Sequence, residues 1–203
     1  NVSGLPRNGI RVALSDHVTI RNCYCEDCYE RGIFTAFAEW VIIEYNECCG
    51  SIDEHGIYHS NSGDHPVIRF NVCHSNSCCG IHMNGDLSAG GDGIISYAQV
   101  EGNIIYGNGE TGGSGINCDG VVESEIWNNL IFNNHSSGIS LYRIDGATGS
   151  HNVEVYNNTI VQPDDLVTRT KRYRNGFSSD QFNFCALVIR KTDGVTFVLL
   201  RSY

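Results

Sequence analysis

A dipeptide returns along this chain of 203 residues at nearly constant spacing: Gly-Ile stands at 9/10, 32/33, 56/57, 80/81, 115/116 and 138/139, in steps of 23, 24, 24, 35 and 23. Between these positions a second mark recurs, a branched aliphatic residue followed three places later by Asn: Ile43 and Asn46, Ile68 and Asn71, Val100 and Asn103, Ile126 and Asn129, Val155 and Asn158. In the first unit Ile20 leads to Cys23 instead. A unit this short cannot bury its own apolar side chains, whereas units stacked in register bury a continuous column. Runs such as VIIEYNEC and GISLYR alternate with the period of a strand and are too short for helices. The expectation is an all-β coil of about six rungs over residues 1–163, with parallel strands stacked about 4.8 Å apart. A leucine-rich horseshoe has a similar period but needs recurring Leu at several positions per unit, which is missing.

The Asn column fits the same geometry. Asn tolerates a left-handed backbone at a sharp corner, and amides stacked at strand spacing can bond along the ladder. The ten cysteines also fall into the register. Cys25, Cys48 and Cys73 share one inward column with Ile105, Ile131 and Ile160, so Cys reads as a small apolar filler, mostly free thiol, rather than as a zinc ligand or disulfide partner.

GIHMNG, SGISLYR and VYNNTIV resemble the repeat of right-handed parallel β-helix proteins, the fold of pectate lyases, polygalacturonases and alginate lyases. The resemblance covers residues 9–161. It implies a right-handed parallel β-helix, a solenoid, from a secreted or surface protein whose partner is a polysaccharide or oligosaccharide. The opening NVSGLPRNGIRV shows no signal-peptide pattern and already reads as repeat, so the chain is expected to be a piece of a longer helix.

Charge narrows the partners. Residues 1–163 hold six Arg, no Lys and 19 acids, a net −13, while residues 164–203 hold five Arg, two Lys and four acids, a net +3. Such an acidic body repels nucleic acid, and binding an anionic glycan calls for a bridging cation. No run of about 18 apolar residues is present to span a bilayer. The last forty residues lose the Asn column and are expected either to cap the coil with strands or to form a tail foreign to it.

Deviations from the repeat mark where chemistry can sit. Two units carry extra residues, at 84–98 and 142–152, leaving from one corner and expected to stand as two walls of a cleft. Alternation turns the residue after each Gly-Ile outward: Arg11, Phe34, Tyr58, His82, Asn117 and Ser140. Two places on, Asn84, Asp119 and Tyr142 do the same. The candidate catalytic residues are His82, Arg143, Tyr58 and Asp119, and the candidate substrate-binding residues are Asn84, Asn117, Tyr142 and Asp86. Asp86, Asp92 and Asp119 are candidate ligands for Ca²⁺. His59 has inward parity and is expected to be buried and hydrogen-bonded.

Three functions compete. A lyase acting on a uronate neutralises the carboxylate, removes the C5 proton and protonates the leaving oxygen, for which Arg143 or Ca²⁺, His82 and Tyr58 are the available groups. An inverting glycoside hydrolase needs two carboxyls about 6.5 to 9.5 Å apart, such as Asp119 with Asp86 or Asp145. The third function is non-catalytic, a carbohydrate-binding or structural module.

Overall fold

The computed structural model describes residues 4–162, together with the backbone of two strands at 184–192 and 194–199. The chain coils through six rungs with three strand positions each. The first face stacks β1 (Asn8–Ala13), β4 (Arg31–Ala36), β7 (Ile57–Ser60), β10 (Ile81–Asn84), β14 (Ile116–Asp119) and β17 (Ile139–Tyr142), all parallel. The second stacks β2 (Thr19–Arg21), β5 (Ile42–Glu44), β8 (Val67–Arg69), β12 (Gln99–Glu101) and β15 (Val121–Trp127). The third stacks β3 (Tyr24–Glu26), β6 (Glu47–Cys49), β9 (Val72–His74), β13 (Ile104–Tyr106) and β16 (Leu130–Phe132). In the sixth rung the long β18 (His151–Val161) continues both faces. The short β11 (Ile95–Ser96) adds to β15; β19 (Phe184–Thr192) runs parallel to β18 and β20 (Gly194–Leu199) antiparallel to β19. Whether residues 164–203 cap the coil or are foreign to it lies outside the described residues.

The interior is the set of columns expected from the repeat. Ile33, Ile57, Ile81 and Ile116 pair in register and are fully buried, with Ile10 and Ile139 at the two ends partly buried. Each fully buried Ile contributes about 1.5–3 kcal/mol relative to exposure. Cys25, Cys48 and Cys73 continue into Ile105 and Ile131 in the third-face column. All nine described cysteines are free thiols. The glycine of each Gly-Ile is required by close approach: a Cβ on Gly32 lies 2.7 Å from Gly56 O, and one on Gly56 lies 2.8 Å from Gly80 O.

The Asn ladder forms, with a change of role. Asn46, Asn71, Asn103, Asn129 and Asn158 pass Nδ2–H to the next Oδ1 at 2.9–3.0 Å. The left-handed backbone falls one residue earlier, at Tyr45, Phe70, Gly102, Asn128 and Asn157. The amide therefore satisfies the corner instead of adopting its strained conformation. A second ladder, Asn76, Asn108 and Asn134, runs at the next corner and is led by Ser51.

The two inserts do not stand apart as cleft walls. Leu87 N donates to Asp145 O and Ala147 N to Gly93 O, both at 2.9 Å, so the loops join into one wall. A glycine lets them meet: a Cβ on Gly93, whose φ is +74°, would lie 3.0 Å from Ala147 Cβ.

Candidate functional site

Beside that wall, outward residues of β7, β10 and β17 converge. His82 on β10 stacks on Tyr58 of β7, with centroids 5.0 Å apart, and Phe34 of β4 continues the row at 5.6 Å from Tyr58. Asn84 Nδ2 reaches Tyr58 Oη at 3.2 Å and Asp145 Oδ2 at 3.3 Å, tying the strand to the loop wall. Arg31 lies over the Phe34 and Tyr58 rings, at 4.8 and 5.0 Å, and pairs with Glu30 and Glu54.

The hydrogen bonds around His82 have a fixed direction. The backbone N–H of Cys79 can only donate, and it donates to His55 Nδ1 at 3.1 Å. Burial holds His55 well below the usual imidazole range, so it is neutral and its one proton sits on Nε2. That proton is shared with His82 Nδ1 at 3.1 Å. Burial, helped by Arg31, lowers His82 to about 4, so its own proton sits on Nε2 and is donated to Tyr142 Oη at 3.2 Å. The chain thus runs from Cys79 N–H through His55 and His82 to Tyr142, whose O–H is left to donate into the groove. Burial raises Tyr142 above the usual phenol range and keeps it a protonated donor; burial raises Tyr58 as well, but there the Asn84 hydrogen bond and the Arg31 guanidinium oppose the rise and favour the phenolate.

The remaining candidates divide. Asn117, paired in register with His82, has an Oδ1 that is buried without a partner, an acceptor one rung from His82. Arg143 is exposed, and its Nε donates to Gly146 O at 3.3 Å; among the described residues it pairs with no carboxylate. Asp119 is 1 % exposed and accepts the amides of Ile144, Asp145 and Gly146, so its carboxylate anchors the 142–152 loop. With both oxygens engaged in the interior, it does not offer a water-activating carboxylate for the hydrolase reading. Asp86 is a turn residue at φ 44° that caps the 3-10 turn Leu87–Ala89 through Ser88 N. His59 is fully buried between Thr35 Oγ1 and Gly63 O, at 2.6 and 2.7 Å.

The Ca²⁺ set does not assemble. Asp119 is spent on loop amides, Asp86 on its own turn, and Asp92 lines a different concavity of about 430 Å³ with Asp16, Glu39 and Asp64. Among the described residues, two other groups bring three donors within 4.8 Å: His55, Cys79 and His82, and Glu47, Cys49 and His74. In the first, all four ring nitrogens already serve the directional hydrogen bonds just described.

Arg31, His55 and Cys79 escaped the sequence reading although a signal was there. They occupy the place before each Gly-Ile, the column Asn8, Arg31, His55, Cys79, Ser114 and Ser137. Reading outward residues only after the dipeptide passed over the column that completes the site.

Residues 1–88 match the family model described as "Right handed beta helix region". Among solved structures, the periplasmic alginate epimerase AlgG superposes with a TM-score of 0.62 at 21% identity, over 90% of this chain and 41% of that one. The A-module of the mannuronan C-5 epimerase AlgE6 from Azotobacter vinelandii gives 0.65 at 17%, over 77% and 42%. A mutant DFA-IIIase from Arthrobacter chlorophenolicus A6, in complex with DFA-III, gives 0.51 at 16%, over 70% and 29%. No curated protein matches by sequence. The chain spans about two fifths of the length of the two epimerase structures. No helix among the described residues is long and apolar enough to cross a membrane. The chain is a right-handed parallel β-helix, and over residues 1–88 it carries the sequence pattern of that family.

Proposed function

We propose that this chain acts on a uronate-containing polysaccharide laid along the first face, through chemistry that begins with loss of the proton beside the carboxylate. The observation that carries the reading is the directional hydrogen-bond chain ending on the Tyr142 hydroxyl. Tyr142 is the proton donor, with His82 and His55 as positioning residues that hold its oxygen. Tyr58 is the proton acceptor: its phenolate form has local support from Asn84 Nδ2–H and from the Arg31 guanidinium over its ring. Arg143, free of acidic partners among the described residues, neutralises the carboxylate at the rim. Loss of the C5 proton is common to β-elimination and to C5 epimerisation. The fate of the carbanion separates them: expulsion of the glycosidic oxygen, protonated by Tyr142, or return of a proton to the opposite face. The likeness in fold to epimerases of alginate and mannuronan supports uronate chemistry, and with it a location outside the cytoplasm.

A non-catalytic glycan-binding module is the second reading, and one observation favours it: both histidines have every ring nitrogen engaged within the protein, so neither is free to take a proton from substrate. Incubation with a panel of polyuronates in D₂O separates the readings. Deuterium at C5, from epimerisation, or C4–C5 unsaturated ends, from elimination, is the expected result. Tyr142→Phe and Tyr58→Phe should each slow whichever of these products forms by about 10²-fold or more while glycan binding persists. Binding with neither C5 deuterium nor unsaturated ends establishes the module instead.

A further inference from the structure

On the third face of the coil, the outer surface of β3, β6 and β9 brings together three side chains that the groove does not use. Cys49 pairs in register with Glu26 below and His74 above, and Glu47 projects from the same outer side of β6. Cys48, its neighbour, fills the interior column; Cys49 is also buried, but its opposite parity puts it outside the interior cluster, with Sγ 3.7 Å from Tyr24 Oη. His74 Nε2 and Glu47 Oε1 stand 3.2 Å apart, and Cys49 Sγ lies within 4.8 Å of both. Bonds of about 2.0–2.1 Å from a tetrahedral ion to N and O donors give an edge of about 3.3 Å, close to that separation. The imidazole is already oriented: its Nδ1 meets Ser75 Oγ at 3.1 Å, and its face stacks on Tyr106 at 4.8 Å and 5°. A second ring nitrogen fixed in this way is the usual support for a metal-binding histidine. Glu47 and His74 are only partly buried, so an ion can enter from solvent.

We propose that Glu47, Cys49 and His74 form a binding site for a single thiophilic divalent ion of the Zn²⁺ class, stapling β6 to β9. One carboxylate, one thiolate and one imidazole suit a borderline-soft tetrahedral ion and not Ca²⁺ or Mg²⁺, which take oxygen ligands. The fourth position falls to water or to Glu26, one rung below Cys49. The proton of the Cys49 thiol leaves to solvent as the ion binds. This site is independent of any glycan chemistry in the groove.

Titration of the metal-free full chain with Co²⁺, followed by displacement with Zn²⁺, reads the site directly. The expected result is one equivalent with tetrahedral d–d absorption and a thiolate-to-cobalt band, together with a rise in the melting temperature on adding Zn²⁺. Cys49→Ser and His74→Gln should abolish the band and the melting shift, Glu47→Gln should weaken binding at least tenfold, and Cys79→Ser should leave all three signals in place. Melting of the metal-free variants distinguishes loss of the site from loss of the fold, and His74→Gln stands in should Cys49→Ser fold poorly. A thiolate band that survives both Cys49→Ser and His74→Gln, or that is lost only in Cys79→Ser, overturns the proposal. So does an octahedral Co²⁺ spectrum without a thiolate band.

Discussion

Three histidines, His55, His59 and His82, are held neutral because burial disfavours the imidazolium, and each is depressed below its ordinary value. The unfolded chain therefore binds more protons than the folded one between about pH 4 and 6.5. Stability is full above about pH 6.5 and is lost as pH falls toward the folded values. For His82, lowered to about 4, the loss across that window is about 3 kcal/mol. Urea unfolding at pH 7, 6, 5 and 4.5 should show this slope, and His82→Gln should flatten it by about one proton; an unchanged slope in the variant removes the buried neutral His82 from the account. At this scale the sequence was legible where parity decides the answer: His59 inward, His82 and Tyr142 outward. It was not legible for Asp119, whose outward parity is overridden by a loop folding back over it. Asp119 and the residues it anchors are 25 to 27 positions apart, beyond any local pattern.

The ladders and the glycine column are properties of elements. Asn103 accepts the N–H and Nδ2–H of Asn71 and donates to Ile68 O and Asn129 Oδ1. Asn103→Ala leaves the buried Asn71 N–H without its acceptor and takes one donor from Ile68 O, so it should cost about 1–3 kcal/mol in chemical denaturation. Gly56→Ala places a Cβ against Gly80 O and the Asn76 amide, and should destabilise by about 1–3 kcal/mol through forced rung separation. Measured losses well under 1 kcal/mol for both would mean that neighbouring rungs yield more freely than the register implies. The first ladder could be read from sequence because its spacing from Gly-Ile repeats. The second was hidden by Ser51 at its start and by only three Asn members. A further Gly-Ile, at 93/94, falls inside the first insert, so the dipeptide alone does not define a rung.

As a whole molecule the coil is a stack in which each rung bonds mainly to its two neighbours, and its charge is spread along the full length. The net −13 over residues 1–163 opposes the approach of a polyuronate. Under the proposed function, glycan affinity should rise as NaCl increases from about 10 to 150 mM, because screening removes a repulsion. Binding that weakens steadily with salt would mean that a local cationic patch outweighs the body charge. What the sequence by itself determined is the coil: a six-fold periodicity leaves one arrangement in which every Ile, Val and Cys of a column finds an apolar neighbour. What only the tertiary structure decided is the chemistry on its surface. Hydrogen-bond direction from Cys79 to Tyr142, the fusion of the two inserts into one wall and the meeting of Glu47, Cys49 and His74 all depend on side-chain rotation and loop return. A one-dimensional repeat fixes the height of each residue on the column and leaves those freedoms open.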